Sequence, residues 1–254
     1  SGEILDFSEE TDPDLVRAAR VGLGVLGVFT QVKLRLLPAY KIERREYWTT
    51  YDRCRDRLEP LARDNQHFDF YWYPRSDRVK LRLLNPPGGG TRVLGYASLD
   101  EVRSGWAHAM IPKHTGIELR FEECEYHFAR ESGLACFDEL RQHVLRKWRA
   151  VAGWRVLVRW IAPDDAYLSP CNGRESISVS VHQNAPLEYE PYFRAMEEIY
   201  CRHGGRPHWA KKHSPRGASL RALHPGFDAF ARIRRRLDPD GVFLNDYFRE
   251  LFAP

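Results

Sequence analysis

Ile42–Thr49 reads as a strand, and apolar residues recur at about every second position along Phe68–Tyr73, Arg78–Leu84, Ile117–Glu125, Arg155–Ile161 and Ser176–His182, the period of half-buried strands. Between them the spacing changes to three and four. This predicts helices over Tyr51–Arg63, over Leu134–Trp148 (Leu134, Phe137, Leu140, Val144, Leu145 and Trp148 on one stripe) and over Glu188–Arg202 (burying Tyr192, Phe193, Met196, Ile199 and Tyr200). The order strand, helix, strand, strand thus occurs twice. Two such β-α-β-β units predict an α+β fold, a large antiparallel sheet covered by helices on one face. Ahead of them, residues 3–7 read as a strand, and Asp12-Pro13 opens a short helix with Pro in its first turn. From Val28 to Leu36, Val28, Thr30, Val32, Leu34 and Leu36 share one side while Gln31, Lys33 and Arg35 take the other, which predicts a further strand. Pro38 ends it, and a boundary near Ala39 separates residues 1–38 from 39–254. Val242–Leu244 reads as a last strand after the Asp238-Pro239-Asp240-Gly241 turn.

The 254 residues, 43% of them hydrophobic, suffice for one large domain or two small ones. A net charge of +4 with both signs interspersed is weak support for a polyanionic partner. The basic run Arg232–Arg236 is interleaved at helical spacing with Phe227, Phe230, Ile233 and Leu237. It reads as the wet face of a core helix, so no nucleic-acid partner is expected. Five cysteines without a CxxC pair favour buried thiols in a reducing compartment over a disulfide framework. The weakly polar run Val21–Thr30 is about half a membrane span and is broken by glycines. With no signal peptide visible, a cytoplasmic or peripherally membrane-associated location is expected. The chain opens Ser1-Gly2-Glu3 without an initiator Met and reads as a piece of a longer polypeptide.

Gly22, Gly24 and Gly27 have the spacing of a dinucleotide-binding fingerprint. That chemistry needs strand, glycines, then helix, so that a helix N-terminus meets the pyrophosphate; here the order is reversed and a Rossmann fold is disfavoured. A close-packed turn and a backbone approach to some other cofactor both remain. Two polar stripes stand out. Glu118, Arg120 and Glu122 oppose Ile117, Leu119 and Phe121 on one strand, and Ser176, Ser178, Ser180 and His182 oppose Ile177, Val179 and Val181 on another. A carboxylate and a guanidinium about 7 Å apart on one face can flank a small polyhydroxylated ligand; a solvated outer face is the alternative. The loop Gly204–His213 (GGRPHWAKKH) either enters a site or merely packs Trp209 and solvates its lysines. The spacing of His208 and His213 suits no metal site.

Taken together, these segments resemble the aldonolactone oxidase branch of the vanillyl-alcohol oxidase flavoproteins, the L-gulonolactone and D-arabinono-1,4-lactone oxidase type. AARVGLGVLGVFTQVKLRLLP resembles the end of that family's FAD-binding domain, IELRF its E-x-R motif, and DDAYLSPC, GGRPHWAKKH and LDPDGVFLNDY its C-terminal signatures, in order. The resemblance implies that 1–38 is the remnant of an FAD-binding domain and 39–254 a cap or substrate domain. It implies FAD as cofactor and oxidation of a sugar 1,4-lactone (L-gulono-, L-galactono- or D-arabinono-) at C2, with hydride passing to flavin N5 and a product that enolises to ascorbate or an analogue. Glu118 and Arg120 would bind lactone hydroxyls, Lys211 would sit at the flavin N1/C2=O edge, His182 would lie near the substrate, and Gly27 and Val28 would touch FAD through their backbone. Implied partners are the lactone, an N-terminal FAD-binding domain and an electron acceptor, either oxygen or a cytochrome-like carrier. Lacking the pyrophosphate loop and flavin-linking residues, this chain alone is expected to be inactive. A non-catalytic module binding a sugar lactone or a protein is the competing reading.

Overall fold

The computed structural model describes residues 2–110 and 120–252. Contacts divide the chain into two units: Arg35–Ile161 with Ser176–His213, and Ser1–Leu34 with Ala162–Glu175 and Ser214–Pro254. The boundary expected near Ala39 lies close to the Leu34/Arg35 division, whereas residues 39–254 are shared between the two units.

The larger unit is an α+β layer. Its strands are β1 (Lys41–Thr50), β2 (His67–Tyr73), β3 (Arg78–Asn85), β4 (Ser98–Trp106), β5 (Phe121–Ala129), β6 (Val156–Ile161), β7 (Ser176–Asn184) and β8 (Arg206–Pro207). They form one eight-stranded sheet in the order β4-β1-β3-β2-β6-β7-β5-β8, with every pairing antiparallel. The two β-α-β-β units are visible in that order. In each, the third strand lies between the first and second, and the units meet through their second strands, β2 and β6.

Among the described residues, the helices that carry the core pack on one face. The segment expected as one helix over Tyr51–Arg63 is α2 (Tyr51–Cys54), a 3-10 turn (Arg55–Arg57) and α3 (Leu58–Asp64); Pro60 has no N–H to continue an α-helical ladder. After α4 (Ala107–Met110), the second unit carries α5 (Arg130–His143), extended by a π turn to Trp148, and then α6 (Glu190–Arg202). Leu58, Phe137, Leu140, Met196 and Tyr200 bury their side chains against Phe70, Trp72, Leu81, Val158, Tyr126 and Phe128 of the sheet. Phe137 meets Tyr51, Phe70 and Trp72 edge-on at 5.1, 5.3 and 5.7 Å between ring centroids. Helix α5 comes so close to β7 that a Cβ at Gly133 would stand 2.5 Å from Ile177.

The smaller unit holds α1 (Pro13–Ala19), capped by Asp12 accepting from the Leu15 N–H at 2.9 Å, and α7 (Gly217–Ala222), α8 (Phe227–Leu237) and α9 (Asp246–Leu251). Phe227, Phe230 and Phe252 stack in it. On α8, Arg232, Arg235 and Arg236 lie exposed as the amphipathic pattern predicts, but Arg234 does not share that wet face: it is buried, its Nη1 donating to the Asp238 carbonyl at 3.0 Å.

Three expected strands are absent from the described structure. Residues 3–7 and Val28–Leu36 are not in a sheet, and Val242–Leu244 belongs to a turn. Val28, Val32, Leu34 and Leu36 are all at least two-thirds exposed. Alternation supplies one side of a strand; the backbone also needs an edge to bond, and none among the described residues takes it. All five cysteines are free, four of them buried, and no helix of the described residues is long and apolar enough to cross a membrane.

A charged face on the sheet and its candidate site

Pairing register decides which side chains share the face away from the helices. On β5 and β7, Glu123 lies opposite His182, Glu125 opposite Ser180, and His127 opposite Ser178. The serine stripe therefore meets Glu123, Glu125 and His127, while Cys124, Tyr126 and Phe128 enter the helix-side core. The row continues outward, since Ser178 pairs with Arg159 of β6, Arg159 with Asp69 of β2, and Asp69 with Arg82 of β3. An acid or base thus follows almost every step across the sheet. Asp69 takes Arg82 in two bonds of 2.5 and 2.8 Å. Glu125, only 1% exposed, takes Arg159, whose Nε donates to Ser178 at 3.3 Å. Burial works against the Glu125 carboxylate, yet Arg159 and His127 overcome it and hold the group below its ordinary range.

The strand's polar end is closed by the Gly204–His213 loop. Gly204 adopts φ +66°, and a Cβ on Gly205 would sit 2.6 Å from Phe128, so the first glycine serves the turn and the second serves the packing. The loop then runs along the free edge of β5: the His208 N–H donates to the Glu125 carbonyl at 2.9 Å and the Lys212 N–H to that of Glu123 at 2.8 Å. This edge pairing brings Lys211 over Glu123. The Glu123 carboxylate accepts from Lys211 Nζ through Oε2 and from Ser180 Oγ through Oε1, and Oε1 lies 3.1 Å from His182 Nε2. Burial pushes its pKa up, but the bonds from His182, Lys211 and Ser180 win and hold it well below the carboxylate range. His182 packs against Trp154 and Phe121, and its Nδ1 is buried with no partner among the described residues. With Nε2 facing the carboxylate, Nε2 is the donor and Nδ1 carries a lone pair in the neutral ring. Beside this cluster opens a cleft of 370 Å³ lined by Phe121, Glu122, Glu123, Trp209, Ala210, Lys211 and Lys212.

The residues singled out in the sequence distribute unevenly. Lys211 and His182 are brought together, joined by Glu123. Arg120 stands just ahead of β5, exposed, its carbonyl accepting from Ala185 N–H at 2.9 Å; alternation puts it in phase with Glu122 rather than Glu123. Glu118 lies outside the described residues. Gly27 has φ +128° and Val28 is 77% exposed, both in the smaller unit. The serine stripe is neither a solvated face nor directly open to a ligand: Ser176, Ser178 and Ser180 are buried, and the last two have hydroxyls bonded to Arg159 and Glu123. Sequence reasoning missed Glu123, Glu125 and Arg159. Their signal was the continued alternation Phe121, Glu123, Glu125, His127 after the apolar positions had changed sides.

A flavin presents a flat ring with an edge that gathers negative charge on reduction. The indole of Trp209 and the Lys211 ammonium in one cleft fit the ring end of such a group, while the larger unit offers no strand-to-helix glycine turn as a phosphate cradle among its described residues. Comparison with known proteins finds relatives along most of the chain. The family model for D-arabinono-1,4-lactone oxidase matches residues 32–89 and 108–251. The chain is 33% identical over its whole length to an L-gulono-1,4-lactone dehydrogenase of Mycobacterium tuberculosis and 28% identical over 99% of its length to the L-gulonolactone oxidase of Bos taurus; it spans 66% of each. It is also 36% identical over 92% of its length to an alditol oxidase of a Streptomyces species, spanning 61% of that protein. Matched along most of its length, and with a lysine-bearing loop laid against a charged sheet face, the chain belongs to the D-arabinono-1,4-lactone oxidase family.

Proposed function

We propose that this chain forms the substrate side of an FAD-dependent oxidation of a sugar 1,4-lactone at its C2 hydroxyl, with L-gulono-, L-galactono- and D-arabinono-1,4-lactone as the candidate substrates. The observation that carries the reading is the convergence of Glu123, His182 and Lys211 beside a cleft walled by Trp209. With Nε2 donating to Glu123 Oε1, the lone pair on His182 Nδ1 is the place for the departing hydroxyl proton, and the Glu123 carboxylate stabilises the imidazolium that results. Lys211 offers positive charge where a ring edge becomes anionic, and Trp209 presents an apolar wall to the sugar carbons. Arg159, 39% exposed and with donors to spare beyond Glu125 and Ser178, supports binding of further hydroxyls. FAD, when bound, supplies the hydride acceptor. Gly27 and Val28 are proposed as backbone contacts to it, a reading supported by the open space at Gly27, where a Cβ meets nothing within 4 Å. A flavin-binding domain on the same polypeptide, and oxygen or a cytochrome-like carrier as electron acceptor, complete the proposed set of partners.

The test is anaerobic addition of each lactone to the polypeptide carrying its flavin-binding domain. Bleaching of the visible flavin absorbance by at least one lactone is expected. Lactone binding detected by calorimetry without bleaching would leave a binding module and overturn the oxidase reading.

A further inference from the structure

Two adjacent carboxylates on β5 face two adjacent lysines of the loop, and each takes a different partner. Glu122 and Glu123 project to opposite sides of the strand; Lys212 pairs with Glu122 at 3.3 Å, Lys211 with Glu123. The loop backbone cannot turn between these choices, because the Lys211 N–H is bonded to the His208 carbonyl at 3.0 Å and the Lys212 N–H to the Glu123 carbonyl. A lysine held only at its Cα still samples many rotamers. Lys211 is held at its far end as well, by a carboxylate that is itself fixed by Ser180 Oγ and His182 Nε2. The His182 ring is in turn wedged against Trp154, centroids 6.1 Å apart at 29°, and Phe121.

We propose that Glu123 is a positioning residue, which holds the Lys211 ammonium at the wall of the cleft and the His182 ring beside it, and balances the lysine's charge in the resting site. The balance has a consequence that rests on the reading of the cleft as the flavin-facing site. A bare ammonium would bias the bound ring toward reduction; one paired with a carboxylate does so less, and the pair sets the bias at an intermediate level. Glu122 cannot substitute for Glu123, since it lies on the other side of the strand and is occupied by Lys212.

Reductive methylation of the 254-residue chain, read lysine by lysine by mass spectrometry, tests the positioning directly, with exposed Lys147 as internal reference. Glu123→Gln keeps the shape and removes the charge; it should raise methylation of Lys211 relative to Lys147 by about tenfold, the effect of losing one charge-assisted hydrogen bond. Glu122→Gln should raise Lys212 and leave Lys211 alone. An unchanged Lys211 rate in folded Glu123→Gln overturns the proposal. So does a wild-type Lys211 that reacts as fast as Lys147, a measurement that stands even if the variant fails to fold. In the flavin-bearing polypeptide, Glu123→Gln should raise the flavin midpoint potential, shifting the reduction equilibrium about tenfold, or about 30 mV for a two-electron couple. Raised methylation with an unmoved potential would uphold Glu123 as the residue that positions Lys211 and refute the flavin-facing reading of the cleft.

Discussion

Removing Arg159 should expose how far the charged face depends on pairing. Glu125 is 1% exposed and its carboxylate takes the Arg159 guanidinium, with His127 Nε2 at 3.7 Å as the other cation-capable neighbour. Arg159→Ala leaves a buried carboxylate uncompensated, a change that costs about 3–5 kcal/mol where one partner of a buried pair is deleted. Because Arg159 is 39% exposed and His127 remains nearby, the lower figure, about 3 kcal/mol, is the expected loss at neutral pH. The sign with pH is diagnostic. In the native protein the Glu125 carboxyl lies below its unfolded value, so its stabilisation is present above the ordinary carboxylate range and is lost as pH falls through the lowered one. Without Arg159 burial dominates, the folded carboxyl lies above its unfolded value, and protonation relieves the cost. The variant should therefore regain stability relative to wild type as pH falls from about 8 to about 5. Urea unfolding followed by tryptophan fluorescence at both pH values measures it; the midpoint shift at the higher pH should be about 1 M for a chain of this size. Adding Glu125→Gln should recover most of the loss, since no buried charge then remains. A deficit below about 1 kcal/mol, or one equal at both pH values, would refute the reasoning.

Lys211→Met in the flavin-bearing polypeptide should slow flavin reduction by the lactone about 10²–10³-fold, and, because it takes one cation from the largely buried Glu123, should also lower the melting temperature; stopped-flow absorbance would return an unchanged rate if the lysine had no part in the reaction. Phe137→Ala removes a fully buried ring from three edge-on contacts and should cost about 3–5 kcal/mol in chemical unfolding. Gly205→Ala places a methyl group 2.6 Å from Phe128 and should cost about 1–3 kcal/mol, with the loop and Lys211 displaced in proportion. Arg120→Ala, at an exposed position ahead of β5, should alter stability by no more than about 0.5 kcal/mol, and a fall of about 100-fold in kcat/KM would place it in the site after all.

What the sequence determined by itself is local and periodic. The strands β1, β2, β3, β6 and β7 and the helices α5 and α6 are legible because half-buried elements must repeat their apolar residues at two or at three to four, and Phe137, Tyr192 and Met196 fall where that rule puts them. The GGRPHWAKKH loop was legible for a related reason: two glycines before a cluster of cations and an indole make a turn that delivers side chains to one place. Tertiary structure decided everything that depends on a partner strand. Val28–Leu36 alternates much as β3 does, yet without an edge to bond it stays exposed. The same holds for the site. Alternation says that Glu123 and Cys124 face opposite ways, but only the register with His182, and the edge bonds that lay Lys211 along β5, say that Glu123 rather than Glu122 receives the lysine. A shift of one residue in that pairing would exchange the two faces, turning the carboxylates of β5 into the helix-side core and its cysteine and aromatics outward. Such a register is fixed by the burial of Tyr126 and Phe128 under the helices, a constraint that comes from residues distant in the chain and that no local pattern contains.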